Sequence, residues 1–168
     1  MSPEAPALSL RPATKADAGA IRQLVRAQPR MNPTGLDWRN FVVAEAPDGH
    51  LAGCVQLRPS GAGTVELGSL VVEPTARGRG VAGRLVAAIL ATTDARVLVV
   101  TAARHGGHYA PWGFRPIAAL SAPGPVRFNY LVGQAASGLR LLQGYRPRRM
   151  AVLARPASAA MPASPAGD

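Results

Sequence analysis

The chain has 168 residues, one cysteine and a net charge of +10, with 19 Lys and Arg against 9 Asp and Glu. This length fits one domain with a real core, the lone cysteine excludes an internal disulfide, and no apolar run is long enough to span a bilayer. The positive field favours anionic partners, but the arginines are scattered and aromatic residues are few, so nucleic acid is not the expected partner.

Residues 1–7 read as a loose leader, and MSPEAPALSL lacks the basic segment and long apolar stretch of a secretory signal, so a cytoplasmic location is expected. LSLRPAT reads as a first strand. Thr14 then caps a helix from about Lys15 to Ala27, with Ile21, Leu24 and Val25 on its apolar face. Pro29, Pro33 and Gly35 break it, and Leu36 to Asn40 suit a short helical turn. FVVAEA is a strand joined by the turn Pro47-Asp48-Gly49 to a second, LAGCVQLRP. Cys54 lies in that apolar run and reads as a buried thiol. SGAG turns the chain into a fourth strand, TVELGSLVV. A loop with alternating Arg and Gly follows, then an amphipathic helix from Val81 to about Ala91. RVLVVTA is nearly all apolar, as expected of a central strand covered on both faces, so strand, loop, helix and strand form a βαβ crossover. RHGGHYAPWGF holds at most a short helix. PVRFNYLV and RRMAVLA read as the last two strands, separated by a helical GQAASGLRLLQG with Leu139, Leu141 and Leu142 apolar. Residues 156–168 are low-complexity and expected to be disordered.

The stretch LVVEPTARGRGVAGRL, residues 70–85, is the most informative. The first N–H groups of a helix lack intrahelical acceptors, and the macrodipole adds positive charge there. A glycine-rich turn opening a helix is therefore an anion site. Gly78 and Gly80 let a ligand approach the backbone, and Arg77 and Arg79 add planar donors suited to phosphate. A P-loop is excluded, because it needs a lysine in the loop and Lys15 is the only one in the chain. Gly78-Arg79-Gly80-Val81-Ala82-Gly83 satisfies the dinucleotide pattern literally, but it lies mid-chain and no acidic residue ends a second strand about 20 positions on.

Arg77, Gly80 and Ala82 fit instead the acyl-CoA-binding motif of the GNAT N-acetyltransferase superfamily, which the loop resembles. ELGSLVVEP is similar to that family's fourth strand, RLVAAILA to its third helix, and HYAPWGFRPI to its YxxxGF segment. The resemblance covers residues 8–155 and implies an α/β fold with a central mixed, twisted sheet of six to seven strands flanked by helices. It implies an acetyl-CoA-dependent N-acetyltransferase. Pantetheine would bind the backbone of Leu70, Val71 and Val72, and pyrophosphate would bind Arg77, Gly78, Arg79, Gly80, Val81, Ala82 and Gly83. No metal is implied. Glu66 matches a position where some members carry a glutamate that acts as base through water, and Tyr109 matches the tyrosine that often protonates the CoA sulfur. Glu73, His105 and His108 are other base candidates, whereas Trp112 and Phe114 read as core. The chain departs from many relatives at Ala102, where they carry the asparagine that binds the pantetheine arm, and Pro111 distorts the helix expected there.

The acceptor is expected to be a small-molecule or peptide amine, lined by Trp38, Arg39, Asn40 and residues 121–130. Arg127, Arg146, Arg148 and Arg149 are candidates for an acidic acceptor group. A homodimer is compatible with this reading. A non-catalytic acyl-CoA-binding module and a basic nucleic-acid-binding domain stand as alternatives.

Overall fold

The computed structural model describes residues 8–28, 31–61, 63–141 and 149–158. The leader (1–7), most of the tail, Leu142, Arg146 and Arg148 lie outside the described residues. The strands are β1 (Ser9–Pro12), β2 (Phe41–Glu45), β3 (Leu51–Pro59), β4 (Thr64–Val72), β5 (Arg96–Ala102), β6 (Arg115–Ile117) and β7 (Met150–Arg155). The helices are α1 (Ala18–Arg26), α2 (Val81–Leu90) and α3 (Gly124–Leu141). The strands form one seven-stranded mixed sheet in the order β1-β2-β3-β4-β5-β7-β6. Every pairing is antiparallel except β4 with β5, which are joined through α2.

Strand side chains alternate between faces, and the cores divide accordingly. Val42, Ala44, Leu67, Val97, Val99 and Leu153 pack under Leu85, Val86 and Ile89 of α2. On the opposite face Phe41, Val43, Cys54 and Val71 meet Ile21 and Val25 of α1, and Leu98, Val152 and Ala154 meet Val126 of α3. β5 is thus buried on both sides, as its apolar run requires. Cys54 is fully buried, and desolvation pushes its thiol up to about 12. No helix among the described residues is long and apolar enough to cross a membrane.

The start of α1 is a 3-10 turn, Lys15–Asp17, before the α-helix proper. Asp17 accepts from the Thr14 N–H at 2.6 Å and from its hydroxyl at 2.9 Å. The same carboxylate pairs with Arg11 at 2.8 Å, and Arg11 also holds Glu45 at 2.7 Å, which ties the helix to β1 and β2.

The segment PVRFNYLV is not a strand. It forms the first half of α3, and β6 is the short Arg115–Ile117 instead. Val126, Phe128, Tyr130 and Val132 alternate in the sequence and so look like a strand. In the structure Val126 and Tyr130, one helical turn apart, face the sheet, while Phe128, Leu131 and Val132 are exposed. Leu139 is exposed as well.

Candidate active site

The site begins with a parting of two strands. β4 and β5 pair only from Thr64↔Arg96 to Leu67↔Val99, although β4 continues to Val72 and β5 to Ala102. On its other side β4 stays paired with β3 as far as Val72. Between the last residues of β4 and β5 the sheet therefore opens as a wedge, and the β5-facing backbone groups of residues 68–72 have no partner in β5. Unpaired strand edges bind extended ligands by main-chain hydrogen bonds.

A bulge in β4 helps to set this opening. Gln56 pairs with Gly68 and Cys54 with Val71, so β4 carries an extra residue at this point. Bulges bend a strand and increase its twist. Ser69 takes φ +50, the left-handed region that is unfavourable for a residue with a side chain. Gln56, fully buried, holds it by donating from Nε2 to Ser69 Oγ at 2.8 Å. Leu70 and Val72 are half-buried along the opening, and Val71 turns into the α1-side core.

Beyond β4 a 3-10 turn, Pro74–Ala76, leads into the glycine loop. Gly78 and Gly80 have φ +75 and +72, and a Cβ at either would meet nothing within 4 Å. Here the glycines serve the left-handed turn and leave the loop bare, with Arg77, Gly78, Arg79 and Gly80 exposed. The first intrahelical bond of α2 runs from the Arg84 N–H to the Gly80 carbonyl at 3.1 Å. The N–H groups of Val81, Ala82 and Gly83 are thus the orphan donors at this helix mouth. Arg77 donates from Nε to the Val72 carbonyl at 2.9 Å, so it closes the loop onto the strand end as well as adding charge. Gly83 packs against Trp112, whose ring would lie 3.6 Å from a Cβ there.

Glu66 and Tyr109 lie on opposite faces of the sheet. Glu66 is buried on the face that α3 covers. Its carboxylate accepts from Asn129 Nδ2 at 2.9 and 3.2 Å and pairs with Arg58 Nη2 at 3.2 Å. Burial raises its proton affinity; Arg58 and the Asn129 hydrogen bond oppose that rise. Tyr109 sits in the 3-10 segment Ala103–Trp112, packed against the α2-side core and edge-on to Phe114 at 5.6 Å. Desolvation raises its phenol above the ordinary value, so it is protonated at neutral pH.

The other candidates lie elsewhere or are engaged. Glu73 is held by His50 at 2.6 Å, which in turn raises the His50 pKa. His105 accepts from Arg104 Nε at 3.1 Å and faces His108 at 5.5 Å between ring centroids. Trp38 packs on the α1-side core with the Arg39 guanidinium 4.7 Å over its ring. Phe114 is buried, and Arg127 and Arg149 are exposed. Sequence reasoning missed Arg58 altogether. It included Asn129 only within a broad lining range, because a site contact from α3 is invisible while that segment reads as a strand.

Residues 37–116 match the family model of the acetyltransferase (GNAT) domain. A search of curated proteins finds no match. Among solved structures, N-acetylglutamate synthase from Neisseria gonorrhoeae, complexed with coenzyme A and N-acetyl-glutamate, is similar at 22% identity and a TM-score of 0.68 over 93% of this chain. This chain spans only 36% of that protein's length. Rv2747 from Mycobacterium tuberculosis, in complex with CoA and NLQ, is 22% identical with a TM-score of 0.64, over 88% of this chain and 98% of that one. A GNAT family acetyltransferase from Brucella melitensis, in complex with acetyl-CoA, is 24% identical with a TM-score of 0.52, over 66% of this chain and 84% of that one. The parted β4 and β5 and the glycine loop at the mouth of α2 all lie within residues 37–116, the stretch that matches the acetyltransferase (GNAT) domain.

Proposed function

We propose that this chain is an acetyl-CoA-dependent N-acetyltransferase that acetylates the primary amine of a small molecule or a protein N-terminus in a ternary complex, with the domain running over residues 8–155. One observation carries the reading. The wedge of unpaired β4 backbone leads directly into a loop whose N–H donors at Val81, Ala82 and Gly83 have no intrahelical acceptor. An extended pantetheine arm suits the first, and a diphosphate suits the second. The GNAT match and the CoA and acetyl-CoA complexes of similar structures support the same ligand.

In this reading Leu70, Val71 and Val72 hold the pantetheine, and residues Arg77 to Gly83 hold the diphosphate. Fixing the thioester beside the acceptor turns a bimolecular step into a local one. The neutral amine attacks the thioester carbonyl, and its proton passes to Glu66, directly or through one water. When the tetrahedral intermediate collapses, the C–S bond breaks and Tyr109 donates its phenolic proton to the departing sulfur. The products are an amide and free CoA thiol; Glu66 then releases its proton to solvent and Tyr109 takes one back from it. Burial favours these roles: Glu66 gains proton affinity, and Tyr109 stays protonated until it is called on. The N-acetyl-glutamate bound by the Neisseria enzyme makes amino acids the first acceptors to try.

The test is a thermal shift with acetyl-CoA followed by thiol release on a panel of amino acids, polyamines and peptide N-termini. Stabilisation by acetyl-CoA with amine-dependent thiol release is expected. Stabilisation without turnover on any amine would leave a non-catalytic acyl-CoA-binding module. No stabilisation would overturn both.

A further inference from the structure

Arg58 and Glu66 face each other across β3 and β4 as register partners. The guanidinium is largely buried. Its Nη2 lies 3.2 Å from Glu66 Oε2, and its Nη1 donates to the Thr34 carbonyl at 3.5 Å. The α1–β2 connection closes over it, since a Cβ at Gly35 would come within 3.4 Å of Nη1. Beside it the neighbouring β4 residue is Gly68, where a Cβ would lie 3.7 Å from Nη2, so the strand leaves the guanidinium room. From the other side α3 brings Asn129, whose single amide nitrogen spans both carboxylate oxygens at 2.9 and 3.2 Å. One carboxylate is thus gripped from two separate elements.

A buried carboxylate with no partner would protonate or rotate away. Two anchors on different elements prevent both. We propose that Arg58 and Asn129 are positioning residues that fix the Glu66 carboxylate at the edge of the wedge and keep it ionised and ready to take the amine's proton. This rests on the base role given to Glu66 above. Among the described residues Arg58 from β3 is the charged group that faces this carboxylate. α3 contributes neutral Asn129, and β5 contributes apolar Leu98, its register partner. The direction of each contribution agrees: burial raises the Glu66 pKa, and both anchors lower it.

The chain has only four glutamates, Glu4, Glu45, Glu66 and Glu73, so a side-chain carboxyl carbon-13 titration of the full protein resolves them, with Glu66→Gln assigning the signal. Arg58→Gln should raise the Glu66 midpoint by about one pH unit, the low end for losing an opposite charge at this range. Asn129→Ala should raise it by less, and Arg58→Lys should return it toward the wild-type value. On the acid limb of kcat/KM a one-unit rise converts to about a tenfold loss. The Kd for acetyl-CoA should not change. If Arg58→Gln does not fold, Asn129→Ala carries the test alone, because it removes a neutral group on another element. A midpoint that stays put in both variants overturns the proposed grip. A midpoint that moves while the acid limb of kcat/KM does not follow, or an acid limb that survives in Glu66→Gln, overturns the base role beneath it instead.

Discussion

Gly80→Glu separates binding at the loop from folding of the loop. Gly80 has φ +72, and a Cβ there would touch nothing within 4 Å. The substitution therefore brings no clash in the free protein, only the cost of a side chain in the left-handed region, about 1 kcal/mol. For a domain of this size that lowers Tm by about 2–4 °C. Binding should suffer far more. A carboxylate placed about 5 Å from a bound phosphate, at an effective dielectric of about 20, opposes it by about 3 kcal/mol, or roughly two orders of magnitude in Kd. Gly80→Ala isolates the backbone cost, and Gly19→Ala, with open space and an ordinary helical conformation in α1, should raise stability by about 0.5–1 kcal/mol. Calorimetric titration with acetyl-CoA at low and high salt reads the affinity, and a thermal melt reads the stability. The repulsive part should shrink as salt screens it. If Gly80→Glu binds acetyl-CoA within about threefold of wild type, the diphosphate does not sit at this helix mouth and the assignment of the loop is wrong.

Three further outcomes are expected. Gly53→Ala would put a Cβ 2.7 Å from the Val71 carbonyl oxygen and 3.1 Å from Leu85, forcing β3 and β4 apart; a loss of about 1–3 kcal/mol in denaturant unfolding should follow, and a change within error would show that the strands yield freely. Tyr109→Phe should lower turnover while leaving acetyl-CoA affinity and Tm nearly unchanged, and equal turnover in steady-state assays removes the phenol from the mechanism. Asp17 and Glu45 are both held below their ordinary values of 3.8 and 4.5 by hydrogen bonds from Arg11. A depressed acid pKa stabilises the fold above the unfolded value, so this contribution is complete above about pH 4.5 and is lost as pH falls below it. Arg11→Gln should flatten that acid slope in melts taken across the range, and an unaltered slope would move the acid sensitivity to other groups.

Much of the fold could be read in order along the chain. The short apolar runs of FVVAEA and LAGCVQLRP, the turn at Pro47-Asp48-Gly49 between them and the apolar run of RVLVVTA are local signals that survive into β2, β3 and β5. The loop was legible for the same reason, since a left-handed turn at a helix start demands glycine wherever it occurs. α3 was not, because its apolar residues fit two periods at once over PVRFNYLV. Only contact with β5 and β7 selects the helical one, burying Val126 and Tyr130 and exposing Phe128. The partners of Glu66 were hidden in the same way. Arg58 is eight residues from Glu66 in the chain, Asn129 is sixty-three away, and neither spacing marks a motif.

Local sequence was enough to place β1 to β5, α1, α2 and β7, to mark the loop that presents bare backbone donors and to name residues that could carry protons, but not to place α3 or β6. These are properties of a few neighbouring residues and their intrinsic conformations. The tertiary structure alone decided that β4 leaves β5 after Leu67, that Ser69 is strained into a bulge under Gln56, and that Glu66 is gripped by Arg58 and Asn129. Each of these depends on strand register and on burial between elements distant in the chain, and burial is what turns an ordinary glutamate into a carboxylate whose proton affinity its neighbours must set.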